Sequence, residues 1–262
     1  MSLLADLTLG AVEDAQARRA ERPLAAVERT AAERPAALDA AAFLARDEKV
    51  RVIAEVKRAS PSRGDLAAIP DPALQAQRYE QGGASAISVL TEARRFKGSL
   101  EDLSAVKHRV SLPVLRKDFI ATTYQVAEAR AAGADMVLLI VAALDRPTIA
   151  ELFSLVVDMG MTPLVEAHTA DEVQIAVDLG APIIGVNARD LSDFSLDRDR
   201  FEKLAPGIPD GTIKVAESAV SVPDDVVHYR RGGADVVLIG EALVTGDPVS
   251  TLESFIQATE GI

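Results

Sequence analysis

Eight short apolar runs, separated by longer helical patterns, constrain this chain more than any other feature. They are Val52 to Lys57, Ser85 to Leu90, Pro113 to Phe119, Asp135 to Val141, Thr162 to Glu166, Ile183 to Asn187, Thr212 to Ser218 and Asp235 to Gly240. Such alternation is the signature of βαβ units on a parallel sheet. A longer period underlies it. Gly-Ala pairs precede the second, fourth, sixth and eighth runs, at Gly83-Ala84, Gly133-Ala134, Gly180-Ala181 and Gly233-Ala234, with spacings of 50, 47 and 53 residues. A glycine suits the end of each preceding helix. Four repeats of two βα units close into eight strands and eight helices, so the expected fold class is α/β, a (β/α)8 TIM barrel. An open doubly wound sheet competes, but it usually has fewer strands and a G-x-G-x-x-G first turn, which this chain lacks.

Residues 1–48 are alanine-rich and helical in pattern, with Pro23 and Pro35 each suited to a first helical turn. They read as an N-terminal helical extension packed on a catalytic barrel of residues 49–262, one domain overall. Leu3, Leu4 and Leu7 face either a partner or the barrel surface, and packing on the barrel is the preferred reading. A chain of 262 residues that is 48% hydrophobic can bury one large core of this kind. The absence of cysteine excludes disulfides, thiolate ligands and cysteine nucleophiles and fits a reducing compartment, the cytoplasm being the simplest. No segment approaches the roughly 18 uninterrupted apolar residues of a membrane span, so no membrane partner is expected. A net charge of -12 argues against nucleic-acid binding, which needs a basic footprint. Positive partners for a small anionic ligand must therefore be local. A monomer is expected, with a homodimer left open.

A parallel barrel strand is apolar nearly throughout, so polar residues near the C-terminal ends of the runs point to chemistry. Glu55 and Lys57 end the first run and project from one face; Lys117 ends the third and Glu166 the fifth. Asn187 and Arg189 follow the sixth, and Glu217 and Ser218 the seventh. Any one of them suits a structural ion pair. Barrel closure would gather all of them at one mouth. Being adjacent, Glu217 and Ser218 both reach it only if their strand ends there. After the last run, Gly240 and Glu241 open a short helix whose backbone N–H groups suit an anion, with the Ser60 and Ser62 hydroxyls nearby. Ser218 lacks a nucleophile elbow and an activating histidine. His108, His168 and His228 lack ligand spacing, so no metal is expected, and His168 reads as a surface or loop residue.

In Glu55-Val-Lys57-Arg-Ala-Ser60-Pro-Ser, Ser88-Val-Leu-Thr-Glu92, Phe96-Lys-Gly, Leu115-Arg-Lys117-Asp-Phe119-Ile, Leu138-Leu-Ile-Val, Leu164-Val-Glu166, Gly185-Val-Asn187-Ala-Arg189-Asp-Leu191 and Val215-Ala-Glu217-Ser218, the chain resembles the indole-3-glycerol phosphate synthases over roughly residues 50–245. The resemblance implies a monofunctional carboxy-lyase of tryptophan biosynthesis. Its substrate would be 1-(2-carboxyphenylamino)-1-deoxyribulose 5-phosphate, and no cofactor is needed. It implies catalytic roles for Glu55, Lys57, Lys117, Glu166, Asn187 and Ser218. Lys117 would be the acid for ring closure; Lys57, Glu55 and Glu166 would serve the later proton transfers. Phe96, Phe119, Leu138 and Leu191 would hold the anthranilate ring, with Arg189 and Glu217 completing the substrate wall. Ser60, Ala219, Gly240 and Glu241 would bind phosphate, although Ala219 stands where the family generally has glycine. If that position needs a positive φ, alanine weakens the contact. Two other functions remain open at the level of sequence: a Schiff-base aldolase using Lys117, and a non-catalytic barrel that binds a phosphorylated anion.

Overall fold

The computed structural model describes residues 2–61, 63–190 and 195–262. Eight parallel strands close into a barrel: β1 (Arg51–Val56), β2 (Ala86–Leu90), β3 (Val114–Lys117), β4 (Met136–Ile140), β5 (Thr162–Ala167), β6 (Ile183–Asn187), β7 (Ile213–Glu217) and β8 (Val236–Ile239). Each strand pairs with its sequence neighbours, and β8 returns to β1. Helices α1 (Leu3–Glu21), α2 (Leu24–Ala32) and α3 (Ala40–Leu44) precede the barrel. The helices that follow the strands are α4 (Pro72–Gln81), α5 (Leu100–Arg109), α6 (Thr123–Ala132), α7 (Arg146–Asp158), α8 (Ala170–Asp178), α9 (Arg200–Leu204), α10 (Pro223–Arg231) and α11 (Pro248–Gln257).

Side-chain alternation sorts each strand between two layers. Val52, Ala54 and Val56 pack outward against the helices, with Val137, Leu139, Val165 and Val237 from other strands. Ile53, Leu115, Leu164 and Val215 point inward, with Met136, Leu138 and Leu238. Two residues further along the inward rows stand Glu55, Lys117, Glu166 and Glu217. The period that builds the core thus continues into the mouth. Strand registers level these positions: Glu55 opposes Ser88, Leu90 opposes Lys117, and Asn187 opposes Glu217.

The helices begin where short polar side chains accept orphan backbone N–H groups, as at Ser99, Thr122, Asp145 and Thr169. The glycines of the four Gly-Ala pairs all have positive φ, from 72° to 99°, which a left-handed helix end requires. Leu4, Leu7 and Ala11 of α1 belong to the same buried cluster as Phe119, Leu138 and Ile140. Arg18 anchors the other end of α1 by donating to both Glu128 oxygens, at 2.6 and 2.8 Å. Leu4 and Leu7 are therefore taken up by the barrel rather than offered to a partner.

Candidate active site

Lys117 sits at the centre of the mouth. Its Nζ is 3.8 Å from Glu55 Oε1, 3.7 Å from Glu217 Oε2 and 4.0 Å from Glu166 Oε2. These four residues come from β1, β3, β5 and β7, and alternate strands supply one layer of a barrel interior. β2, β6 and the residue after β8 contribute small groups at this level, Ser88, Gly185 and Gly240. A Cβ on Gly185 would lie 2.1 Å from Glu217 Oε1, and one on Gly240 would lie 2.7 Å from Glu55 Oε2. Glycine at these two positions makes room for two carboxylates, a role sequence reasoning missed for Gly185. The Ser88 hydroxyl donates to Glu55 Oε1 at 3.4 Å.

Burial pulls the pKa of Lys117 down, but the carboxylates of Glu55, Glu217 and Glu166 outweigh it and the net shift is upward. Lys117 is thus held as an ammonium. Burial raises the Glu217 carboxyl well above the usual carboxylate range; neighbouring Glu166 adds to the rise and Lys117 opposes it. The side chains of Glu166 and Glu217 are each 1% exposed, and neither accepts a hydrogen bond from any described residue outside their own pair. Buried polar atoms are normally satisfied, so two such carboxyls in one place mark groups kept for something else.

Lys57 follows β1, with Nζ 3.5 Å from Glu55 Oε2 and 5.8 Å from the centre of the Phe96 ring. Glu55 therefore lies between two lysines. Phe96 and Phe119 tilt against each other with centroids 6.2 Å apart, and Leu138 lines the same cavity. The buried carboxylate of Glu92 presents Phe96 by accepting from the backbone N–H groups of Arg94, Arg95 and Phe96 at 2.9, 2.7 and 2.8 Å. Leu191 lies outside the described residues.

Strand β7 ends at Glu217, and Ser218 turns with φ of 69°. That turn resolves the conflict between adjacent residues, because the Ser218 hydroxyl donates to Asn187 Oδ1 at 2.8 Å. The backbone N–H of Arg189 donates to the same oxygen at 3.0 Å. Ala219 follows with φ of 59°, so alanine occupies a left-handed position that costs about 1–2 kcal/mol for any residue with a Cβ. A second lobe of about 200 Å³ opens beside it, lined by Lys57, Arg63, Arg189, Arg198, Ala219 and Gly240. Arg63 pairs with Glu241 there at 2.7 Å. Glu241 to Leu243 form a single 3₁₀ turn. Ser60 is buried in a two-residue strand paired with Gly64–Asp65 and lines the first lobe.

His168 lies in the loop just past β5, as expected, but it is not a surface group: its side chain is 7% exposed, with Nε2 3.4 Å from Glu166 Oε1. The signal was its spacing, two residues past Glu166 on the same strand face. Among the described residues no group of His, Asp and Glu could hold a metal ion, and no helix is long and apolar enough to cross a membrane.

A (β/α)8 barrel with a half-buried lysine, three carboxylates and an adjoining cationic lobe at its C-terminal mouth defines an enzyme of acid–base chemistry on a small anion. The sequence profile described as indole-3-glycerol phosphate synthase matches residues 4–254. A protein of that name from Leifsonia xyli subsp. xyli is 66% identical over 255 residues, covering 97% of this chain and 98% of its own. One from Streptomyces griseus subsp. griseus is 54% identical over 259 residues, covering 98% and 96%. The chain belongs to the indole-3-glycerol phosphate synthase family. Among solved structures, thiamine phosphate pyrophosphorylase from Pyrococcus furiosus superposes with a TM-score of 0.61 at 14% identity, covering 82% of this chain and 97% of its own. That likeness reports the fold alone.

Proposed function

We propose that this chain closes 1-(2-carboxyphenylamino)-1-deoxyribulose 5-phosphate to indole-3-glycerol phosphate, releasing one carbon dioxide and one water, as a cytoplasmic monomer without a cofactor. The observation that supports this best is Lys117 as a half-buried ammonium ringed by three carboxylates. Ring closure joins the carboxyl-bearing aromatic carbon to the ribulose carbonyl carbon, and the carbonyl oxygen must receive a proton as charge develops on it. Lys117 gives that proton. Loss of carbon dioxide restores the aromatic ring. Dehydration then removes hydroxide from the new ring carbon and a proton from the adjacent methylene. Lys57, paired with Glu55, protonates the leaving hydroxyl; Glu166 accepts the methylene proton. One face of the ring system packs against Phe96, Phe119 and Leu138.

Asn187 and Ser218 hold the substrate oxygens. With Oδ1 of Asn187 engaged by Ser218 and Arg189, its Nδ2 is the donor toward the ligand. Arg189 and Glu217 complete the polar wall, and Ser60 with the backbone N–H groups of Ala219, Gly240 and Glu241 takes the phosphate. A Schiff-base aldolase would need Lys117 as a free amine, against the upward shift of its pKa. The test is the fluorescence of the indole product, followed continuously with the substrate and wild-type protein. Product release is the expected result; a wild-type chain that yields none overturns the reaction.

A further inference from the structure

Glu166 presents its two oxygens to different neighbours. Oε2 faces Lys117 at 4.0 Å, whereas Oε1 faces His168 Nε2 at 3.4 Å. Both Oε1 and Nε2 are buried with no hydrogen-bond partner, so they have only each other on that side. The imidazole is fixed from behind by Glu172 of α8, whose Oε2 accepts from the His168 backbone N–H at 2.7 Å and lies 3.3 Å from Nδ1. A carboxylate thus stands at each ring nitrogen. A neutral imidazole with its proton on Nδ1 would aim a lone pair at Glu166 Oε1, whereas an imidazolium directs an N–H at both carboxylates. The other charged group facing the ring is Arg200 of α9, which donates to the Asn187 carbonyl at 3.1 Å and opposes the charge on the ring.

We propose that His168 is a positioning residue for Glu166: clamped by Glu172, its imidazolium pins Oε1, so that Oε2 alone faces Lys117 and the substrate. His168 lines neither lobe of the mouth and acts only through Glu166. The same electrostatics act on the ring. Burial lowers the pKa of His168, but Glu172 and Glu166 outweigh it and the net shift is upward. This role rests on Glu166 being the base of the proposed reaction. With the cation gone, Oε1 loses the group that fixes it, and Oε2 is no longer held toward the substrate. At alkaline pH wild-type His168 is itself neutral, and the difference disappears.

The test compares kcat across pH for wild type, His168→Gln and Glu172→Gln, alongside the NMR titration of the imidazole protons in the unliganded protein with and without Glu166→Gln. For His168→Gln, kcat should fall roughly 10- to 100-fold on the acid side, the ratio to wild type should shrink as pH rises, and KM should stay within about twofold. Glu172→Gln should move in the same direction by less. The His168 resonance should titrate above the ordinary histidine value and drop in Glu166→Gln. A rate ratio independent of pH, or a His168 titration unmoved by Glu166→Gln, would overturn the proposal. A wild-type protein without turnover would overturn the reaction instead, and the resonance would still decide whether His168 and Glu166 are coupled.

Discussion

At the amino end of the barrel, the buried carboxylate of Asp135 accepts from the backbone N–H groups of Leu38 and Val114, both at 2.8 Å, and pairs with Lys107 at 2.7 Å. Asp235 does the same there, accepting from the Lys214 N–H at 3.0 Å and pairing with Arg46 at 2.9 Å. At the carboxyl end, Glu166 and Glu217 are equally buried, yet their cationic contacts are no shorter than 3.4 Å and no described residue outside the pair donates to them. One rim is saturated and the other is held short of donors. Charges of one type therefore have two meanings in this fold: at the amino rim they join strands to the preceding helices, and at the carboxyl rim they wait for a ligand.

The sharpest way to break this contrast is to remove charge at each rim in turn. Lys117→Met should lower kcat/KM by about 10³-fold or more while circular dichroism and the unfolding midpoint stay near wild type. Loss of folding with that variant would make Lys117 structural. Asp135→Ala is the mirror case. It strands two buried backbone donors and Lys107, so urea unfolding should report a loss of about 3 kcal/mol, with kcat nearly unchanged in the protein that remains folded.

Glu217→Gln probes the rim through pH. A carboxyl whose pKa is raised on folding binds its proton more tightly in the folded state, so stability falls as pH rises above the ordinary value of 4.5. Replacing it removes that loss. The thermal midpoint of Glu217→Gln should exceed that of wild type, by a margin that grows with pH and vanishes in acid. An equal margin at every pH would mean that folding does not raise the pKa of Glu217. Ala219→Gly carries the smallest expected effect. Relief of the left-handed backbone is offset in part by the freer unfolded chain, leaving a gain below about 1 kcal/mol in thermal melts. A lower KM for the phosphorylated substrate should accompany it.

Much of this was legible in the sequence because it is periodic. The strand positions, the Gly-Ala helix ends and the inward row that ends in Glu55, Lys117, Glu166 and Glu217 all follow from a spacing of two residues or of about fifty. The turn at Ser218 and Ala219 was anticipated as a condition, since only an ending strand brings both Glu217 and Ser218 to one cavity. What the sequence hid were contacts between elements distant along the chain. Gly185 makes room for Glu217, thirty-two positions away, and nothing local to Gly185 announces it. His168 carried the right spacing, but its burial depends on Glu172 reaching back from the next helix. Packing of Leu4 and Leu7 on the barrel was the preferred reading from the sequence; only the identity of the cluster they join, with Phe119 and Leu138, was not legible there.

A crystal structure with indole-3-glycerol phosphate bound tests most directly whether the under-satisfied rim is kept for this ligand. The expected density puts the indole against Phe96 and Phe119, within hydrogen-bond reach of Lys117 or Glu166, with the phosphate on the backbone N–H groups of Ala219, Gly240 and Glu241. A ligand seated elsewhere on the barrel, with Lys117 and Glu166 untouched, would contradict it.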